Sequence, residues 1–144
     1  LAFEGDTIRP LGLVTLKSAY AEAEIDELLS ALADIEPYDD KKQKWPVGQK
    51  LAQAKRLIQG LQAEFEVLVE LLNEMSGLFD RRNALTHSPI YSGTKAVRSR
   101  TTGAEQVATA EALTELAASL SNCRFKLTAY RQRTLEPWLA QRGR

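Results

Sequence analysis

The sequence predicts an all-α fold: an antiparallel four-helix bundle with a long third helix and an irregular loop or hairpin before the last helix. Three observations carry this expectation. Apolar residues recur at steps of three and four along most of the chain, which keeps them on one helical face. Prolines and glycines punctuate the periodic stretches. A chain of 144 residues is also the usual size of one domain, able to bury roughly 68–70% of its unfolded surface. Residues 1–144 are therefore read as a single helical domain, with no internal repeat or low-complexity tract.

The first helix is expected over residues 11–35. Leu16, Ala19, Ala23, Ile25, Leu28, Leu29, Leu32 and Ile35 form a broad apolar stripe, with Glu22, Asp26, Glu27 and Asp34 largely off it. The acidic side reads as a solvated face, or as a surface that keeps nucleic acid off that side. Pro37 ends this helix, and "PYDDKKQKWP" reads as a polar loop. Pro46 can open the second helix, because its missing N–H costs nothing in a first turn.

From Leu51 the spacing is regular through Ala54, Ile58, Leu61, Phe65, Leu68, Leu72, Met75 and Phe79. The phase survives Gly60, yet one helix over 47–87 would span about 61 Å at 1.5 Å per residue. A short second helix, a reversal near Gly60 and a long third helix ending at His87 fit better. Residues 88–103, "SPIYSGTKAVRSRTTG", lose the period and read as the loop or hairpin. Thr102 and Glu105 form a capping-box signature for the last helix. That helix is expected to run through Val107, Ala110, Leu113, Ala117, Leu120, Cys123, Leu127 and Tyr130 until before Pro137. Trp45 and Trp138, both near prolines, are expected to cap the ends of the core.

Composition narrows the function classes. Formal net charge is zero, so no global basic field announces a nucleic-acid binder. The charges are segregated nevertheless. Residues 1–40 carry two basic and ten acidic groups, 41–60 six basic and none acidic, and 81–100 five basic and none acidic. One cysteine, Cys123, cannot form an intramolecular disulfide, and its position on an apolar stripe predicts a buried, inert thiol. No apolar run approaches the ~18 residues of a membrane span. A reducing cytoplasm, no membrane partner and no cofactor are the expectations. A zinc site drawing on Cys and His is implausible with one of each, 36 positions apart. Gly93-Thr94-Lys95 lacks the spacing of a phosphate-binding P-loop, and no Gly-x-Ser-x-Gly elbow occurs.

The informative stretch is "LFDRRNALTHSPIY", residues 78–91, which holds the only histidine. Asn83 and His87 are i and i+4, hence on one face of a continuing helix. Arg82 lies about 140° around from His87, but its long side chain can reach the same cleft. A guanidinium binds phosphate bidentately and keeps its charge. Imidazole passes protons in either direction near neutrality. Together these are parts for cleaving a phosphodiester without metal: one group moves protons and one holds developing negative charge. Singly, each has a plainer reading, His87 as a helix C-terminal cation and Arg82 as an ion-pair partner.

"RNALTH" resembles the Arg-x4–6-His motif of the HEPN superfamily, with the polar residue that commonly follows its arginine present as Asn83. The layout, with the motif ending a long third helix, is also similar. The resemblance implies a helical domain that pairs into a homodimer and brings two motifs into one cleft. Many such proteins are metal-independent endoribonucleases, often toxins of toxin–antitoxin systems or phage-defence effectors, while others only bind nucleotide, RNA or protein. It implies catalytic roles for Arg82, Asn83 and His87, and RNA and an antitoxin or regulatory protein as partners. Around the motif, Arg81, Lys95, Arg98 and Arg100 are candidate phosphate contacts, and Tyr91 a candidate base stacker; the plainer readings are a solvated flank for Arg81, a solvated loop for the other three cations and packing against the bundle end for Tyr91. Leu78, Leu85 and Ile90 are candidate apolar contacts for a dimer. A plain helical interaction domain, with a structural trio, remains the third reading.

Overall fold

The computed structural model describes residues 7–86, 96–98, 105–107 and 109–142. Apart from one short strand pair, the regular structure in these residues is helical. Helix α1 spans Ile8–Ala31, α2 Asp40–Gln43, α3 Val47–Gln59, α4 Glu66–Thr86, α5 Ala110–Tyr130 and α6 Glu136–Arg142. A 3-10 turn, Ala63–Phe65, leads into α4, and a π turn, Arg131–Leu135, joins α5 to α6.

Helix α1 begins before the expected position because Pro10 is accommodated in its first turn. It ends at Ala31 as the chain tightens through Ile35 N–H to Leu32 O. Its buried face is narrower than the predicted stripe. Val14, Ala21, Ile25, Leu28, Leu29 and Leu32 are inside, whereas Leu16 and Ile35 are exposed, as are Ala19 and Ala23. The following loop contains α2, where the Asp39 carboxylate accepts from the Lys42 N–H at 2.9 Å, satisfying an otherwise orphan donor.

The second helix opens directly after Pro46, as its position predicts. The reversal also falls at the expected place. Gly60 closes α3, its N–H returning to the carbonyls of Arg56 and Leu57, and Gln62 turns extended at φ −113° and ψ 156°. Leu51, Ala54, Ile58, Phe65, Leu68, Leu72, Met75 and Phe79 are all buried. The phase therefore crosses the break because both helices face one core.

Strand β1, Ala96–Arg98, pairs antiparallel with β2, Glu105–Val107, with Ala96 opposite Val107. This overturns the capping box. Glu105 is drawn into a ladder, Thr102 lies outside the described residues, and Thr109 caps α5 instead, its hydroxyl accepting from Ala112 N–H at 3.0 Å. Nor does the last helix stop before Pro137. The wider π turn advances fewer degrees per residue than an α-helix, so Leu127, Arg131 and Leu135 all point inward. The helix then resumes with Pro137 in the first turn of α6.

Helix α4 runs antiparallel to α3 and α5. Lys55 meets Asn73, and Tyr130 near the end of α5 meets Glu64 just before α4. Helices α1 and α5 instead advance in the same sense, Tyr20 against Arg124 and Glu24 against Arg131. The long connection 32–46 permits this, since it can carry the chain back before α3 begins. Trp138 packs edge-on against Phe65 at 5.0 Å between centroids, while Trp45 carries Lys42 against its ring at 5.9 Å.

The acidic side of α1 is not simply a solvated face. Glu24 is buried and accepts from Arg131 Nε at 2.6 Å, and Arg131 also donates to Glu136 at 2.5 Å. Glu22 and Asp26 face a cleft between α1 and α4.

Candidate functional site

The final turns of α4 present Arg82 and Asn83. Ala84 and Leu85 are buried and anchor this end of the helix to the core, which leaves Arg82 and Asn83 half-buried on its flank. The Arg82 guanidinium lies over the Phe79 ring, 5.2 Å from its centroid, and its Nε is buried. Burial holds the Arg82 pKa below the ordinary guanidinium value, and the nearby Glu22 carboxylate opposes that shift. The group remains cationic at neutral pH. A cation in such a desolvated setting interacts more strongly with an arriving anion than a water-exposed one does.

Across from it stands α1. The cleft between α1 and α4, about 580 Å³, is lined by Thr15, Ser18, Glu22, Asp26, Arg82 and Asn83 among others. Arg82 and Asn83 therefore open on one space. Ser18 is 3% exposed, and among the described residues its buried Oγ has no hydrogen-bond partner. Leaving a buried hydroxyl unmatched is costly, so a ligand oxygen arriving there would recover a hydrogen bond.

The acidic pair in the cleft is held by a lysine from α3. Lys50, 2% exposed, sits 2.9 Å from Asp26 and 3.3 Å from Glu22. Burial works against its charge, but the hydrogen bonds and attraction of Asp26 and Glu22 outweigh it and hold the Lys50 pKa above the ordinary lysine value. The Tyr38 hydroxyl donates to Asp26 as well. Burial, then the hydrogen bond and charge of Asp26, push the Tyr38 pKa upward. Glu22, Asp26, Lys50 and Arg82 thus offset one another in formal charge. An anion entering the cleft meets its favourable side at Arg82, Ser18 and Asn83.

His87, Tyr91, Lys95 and Arg100 lie outside the described residues, and Arg98 belongs to β1, whose strand pair packs beside α4. Arg81 is half-exposed on α4 next to Arg82. Leu78 and Leu85 are core residues, 8% and 1% exposed, so neither can supply the dimer contact expected of it. Sequence reasoning also passed over Ser18, Lys50 and Tyr38 as site residues. Ser18, Glu22 and Asp26 are spaced by four and share a flank of α1, but no local pattern tells that this flank faces Arg82.

Elsewhere, Cys123 is buried, and burial with help from Glu74 pushes its thiol pKa up to about 11. Among the described residues no cluster of three or more His, Cys, Asp or Glu side chains could hold a metal ion, and no helix is long and apolar enough to cross a membrane. No protein-family model, curated protein or solved structure matches the chain.

Proposed function

We propose that this chain is a HEPN-like helical bundle acting as a metal-independent endoribonuclease, working in the cytoplasm as a homodimer. A toxin or phage-defence role, held in check by an antitoxin or regulatory protein, fits such an activity. The observation that carries the reading is that Arg82 and Asn83, one turn ahead of the single histidine, open together on one cleft beside an unmatched buried hydroxyl. In the reaction, an RNA 2′-oxygen attacks the adjacent phosphorus as its proton is removed. The bond to the 5′-oxygen breaks as that oxygen takes up a proton, leaving a 2′,3′-cyclic phosphate and a 5′-hydroxyl. His87 moves protons, Arg82 holds the charge that accumulates on the equatorial oxygens, and Asn83 orients the phosphate or the imidazole.

A second reading has its own support. The Glu22–Asp26 wall stands opposite Arg82, and carboxylates so close oppose the extra negative charge of a transition state more than they oppose a ground-state ligand. A non-catalytic module that binds nucleotide, RNA or a protein partner at the same cleft is the alternative.

Digestion of RNA in EDTA, with mass spectrometry of the ends, separates the two. The ribonuclease reading expects cyclic-phosphate ends, and a loss of about 10²-fold or more in His87→Ala and in Arg82→Ala. Because Arg82 also packs on Phe79, the His87 variant is the cleaner arm. Cleavage that survives both substitutions sinks the catalytic assignment; binding without cleavage, lost in the variants, selects the module.

A further inference from the structure

The outer face of the α1–α5 seam carries two large aromatics that the core does not use. Tyr20 on α1 is 46% exposed and Phe125 on α5 is 58% exposed. Cations are interleaved with them. Lys17 Nζ lies 5.8 Å from the Tyr20 centroid, and the Arg124 guanidinium lies 5.7 Å from Tyr20 and 4.7 Å from Phe125. Neither Lys17 nor Arg124 forms an ion pair among the described residues. Their charges are held against rings instead of being neutralised by carboxylates.

We infer that this strip is a binding platform for single-stranded nucleic acid. Aromatic faces that alternate with unneutralised cations suit a single strand, whose bases stack on the rings while its phosphates meet the charges. Every base has a π-face, so the platform is tolerant of sequence, and two rings serve two bases. A duplex hides its base faces and gains only the charge term. The strip and the Arg82 cleft share helix α1. At 100° per residue on α1, Ala23 and Ala19 lie between Tyr20 and the Asp26–Glu22 flank of the Arg82 cleft. A strand seated on the rings crosses these small side chains and then the Glu22–Asp26 flank, whose charge Lys50 offsets, before it reaches Arg82. The inference deepens the ribonuclease reading and rests on it for the identity of the natural strand as RNA.

The test is fluorescence anisotropy with labelled oligothymidylate, which has no 2′-hydroxyl and so cannot be cleaved by the proposed chemistry. Binding to the parent should weaken about fivefold or more in Tyr20→Leu and in Phe125→Leu, from the ~1–3 kcal/mol each stacked base is worth, and stay near parental in Tyr20→Phe. Lys17→Gln with Arg124→Gln should flatten the slope of log affinity against log salt by about 1.4, at ~0.7 per contact. All the side chains replaced lie at the surface or half-buried, and the Tyr20→Phe arm guards against a folding artefact. Affinity that survives leucine at both ring positions, or a matching duplex that binds as tightly as the single strand, overturns the platform and leaves the face to an apolar protein partner. Ring-dependent binding in a protein that cleaves no RNA keeps the platform and removes the ribonuclease reading. RNA cleavage that needs His87, with KM indifferent to both rings, does the reverse.

Discussion

Arg131 and Glu24, 107 positions apart in sequence, close a buried ion pair that ties the π turn to α1, Nε to Oε1 at 2.6 Å. Both side chains are under a tenth exposed. Removing one member leaves the other charged and desolvated, which costs about 3–5 kcal/mol, whereas replacing both with apolar groups of similar volume can be neutral or better. Arg131→Ala is therefore expected to lower unfolding stability by that amount in urea titration, and Arg131→Met with Glu24→Leu to recover most of it. Glu136 makes the recovery incomplete, because Arg131 serves it too. Additive losses in the double variant would show that the two residues contribute independently.

Alkaline pH should weaken the α1–α3 junction. Lys50 and Tyr38 both have folded pKa values raised above their ordinary values of 10.5 and 10.0. A raised pKa means the folded state keeps its proton when the unfolded chain has lost it. The stabilisation is thus complete below the unfolded values and is lost as pH rises through the folded ones. Stability of the parent is expected to fall from about pH 10 upward, and Lys50→Met with Tyr38→Phe to fall less steeply. Denaturant midpoints between pH 8 and 11 would measure it; parallel curves for parent and variant would remove the assignment to this pair.

Cys123 gives a simpler prediction. Its thiolate is disfavoured up to about pH 11 and the sulfur is buried, and the thiolate is the reactive form. An aromatic disulfide reagent at pH 8 should leave the folded protein essentially unmodified and label it fully in urea. Rapid labelling of the native protein would mean that the α4–α5 packing opens there.

The difference between these residues and the helices marks how far local pattern reaches. The reversal after Gly60 is legible because a continuous helix from 47 to 87 would be too long, and the apolar phase stays intact because α3 and α4 share a core. The Arg82–Asn83 pair is legible as a polar step late in α4, and both residues line one cleft. The charges of α1 are not. Glu22, Glu24 and Asp26 look alike in sequence, yet Glu24 is inside against Arg131 while Glu22 and Asp26 hold Lys50. Those partners come from other helices, and neither helical period nor local spacing encodes which flank meets which helix. The π turn is hidden for a related reason: steps of four from Leu127 to Arg131 to Leu135 look like an ordinary helix until all three must face inward.

The ribonuclease reading makes its sharpest prediction about the number of chains in one active cleft. Transesterification is helped by a base at the 2′-hydroxyl and an acid at the departing oxygen, and each chain has one histidine. Within the α1–α4 cleft the other titratable groups are occupied: Asp26 is held by Lys50 and Tyr38, and Glu22 by Lys50. A twofold axis past the end of α4 would bring a second His87 and a second Arg82 to the same phosphate, because such an axis places the same patch on both partners. It would also double the basic segment 81–100, whose self-repulsion an RNA phosphate relieves. With Leu78 and Leu85 committed to the core, the empty dimer lacks their apolar contact and should tighten when RNA is present. A tethered dimer of one parent half and one His87→Ala half is therefore expected to fall well below half of parental cleavage, and sedimentation should show more dimer with RNA than without. Half activity in the tethered hybrid, or cleavage through His87 by a species that sediments as a monomer, would rule out the shared cleft.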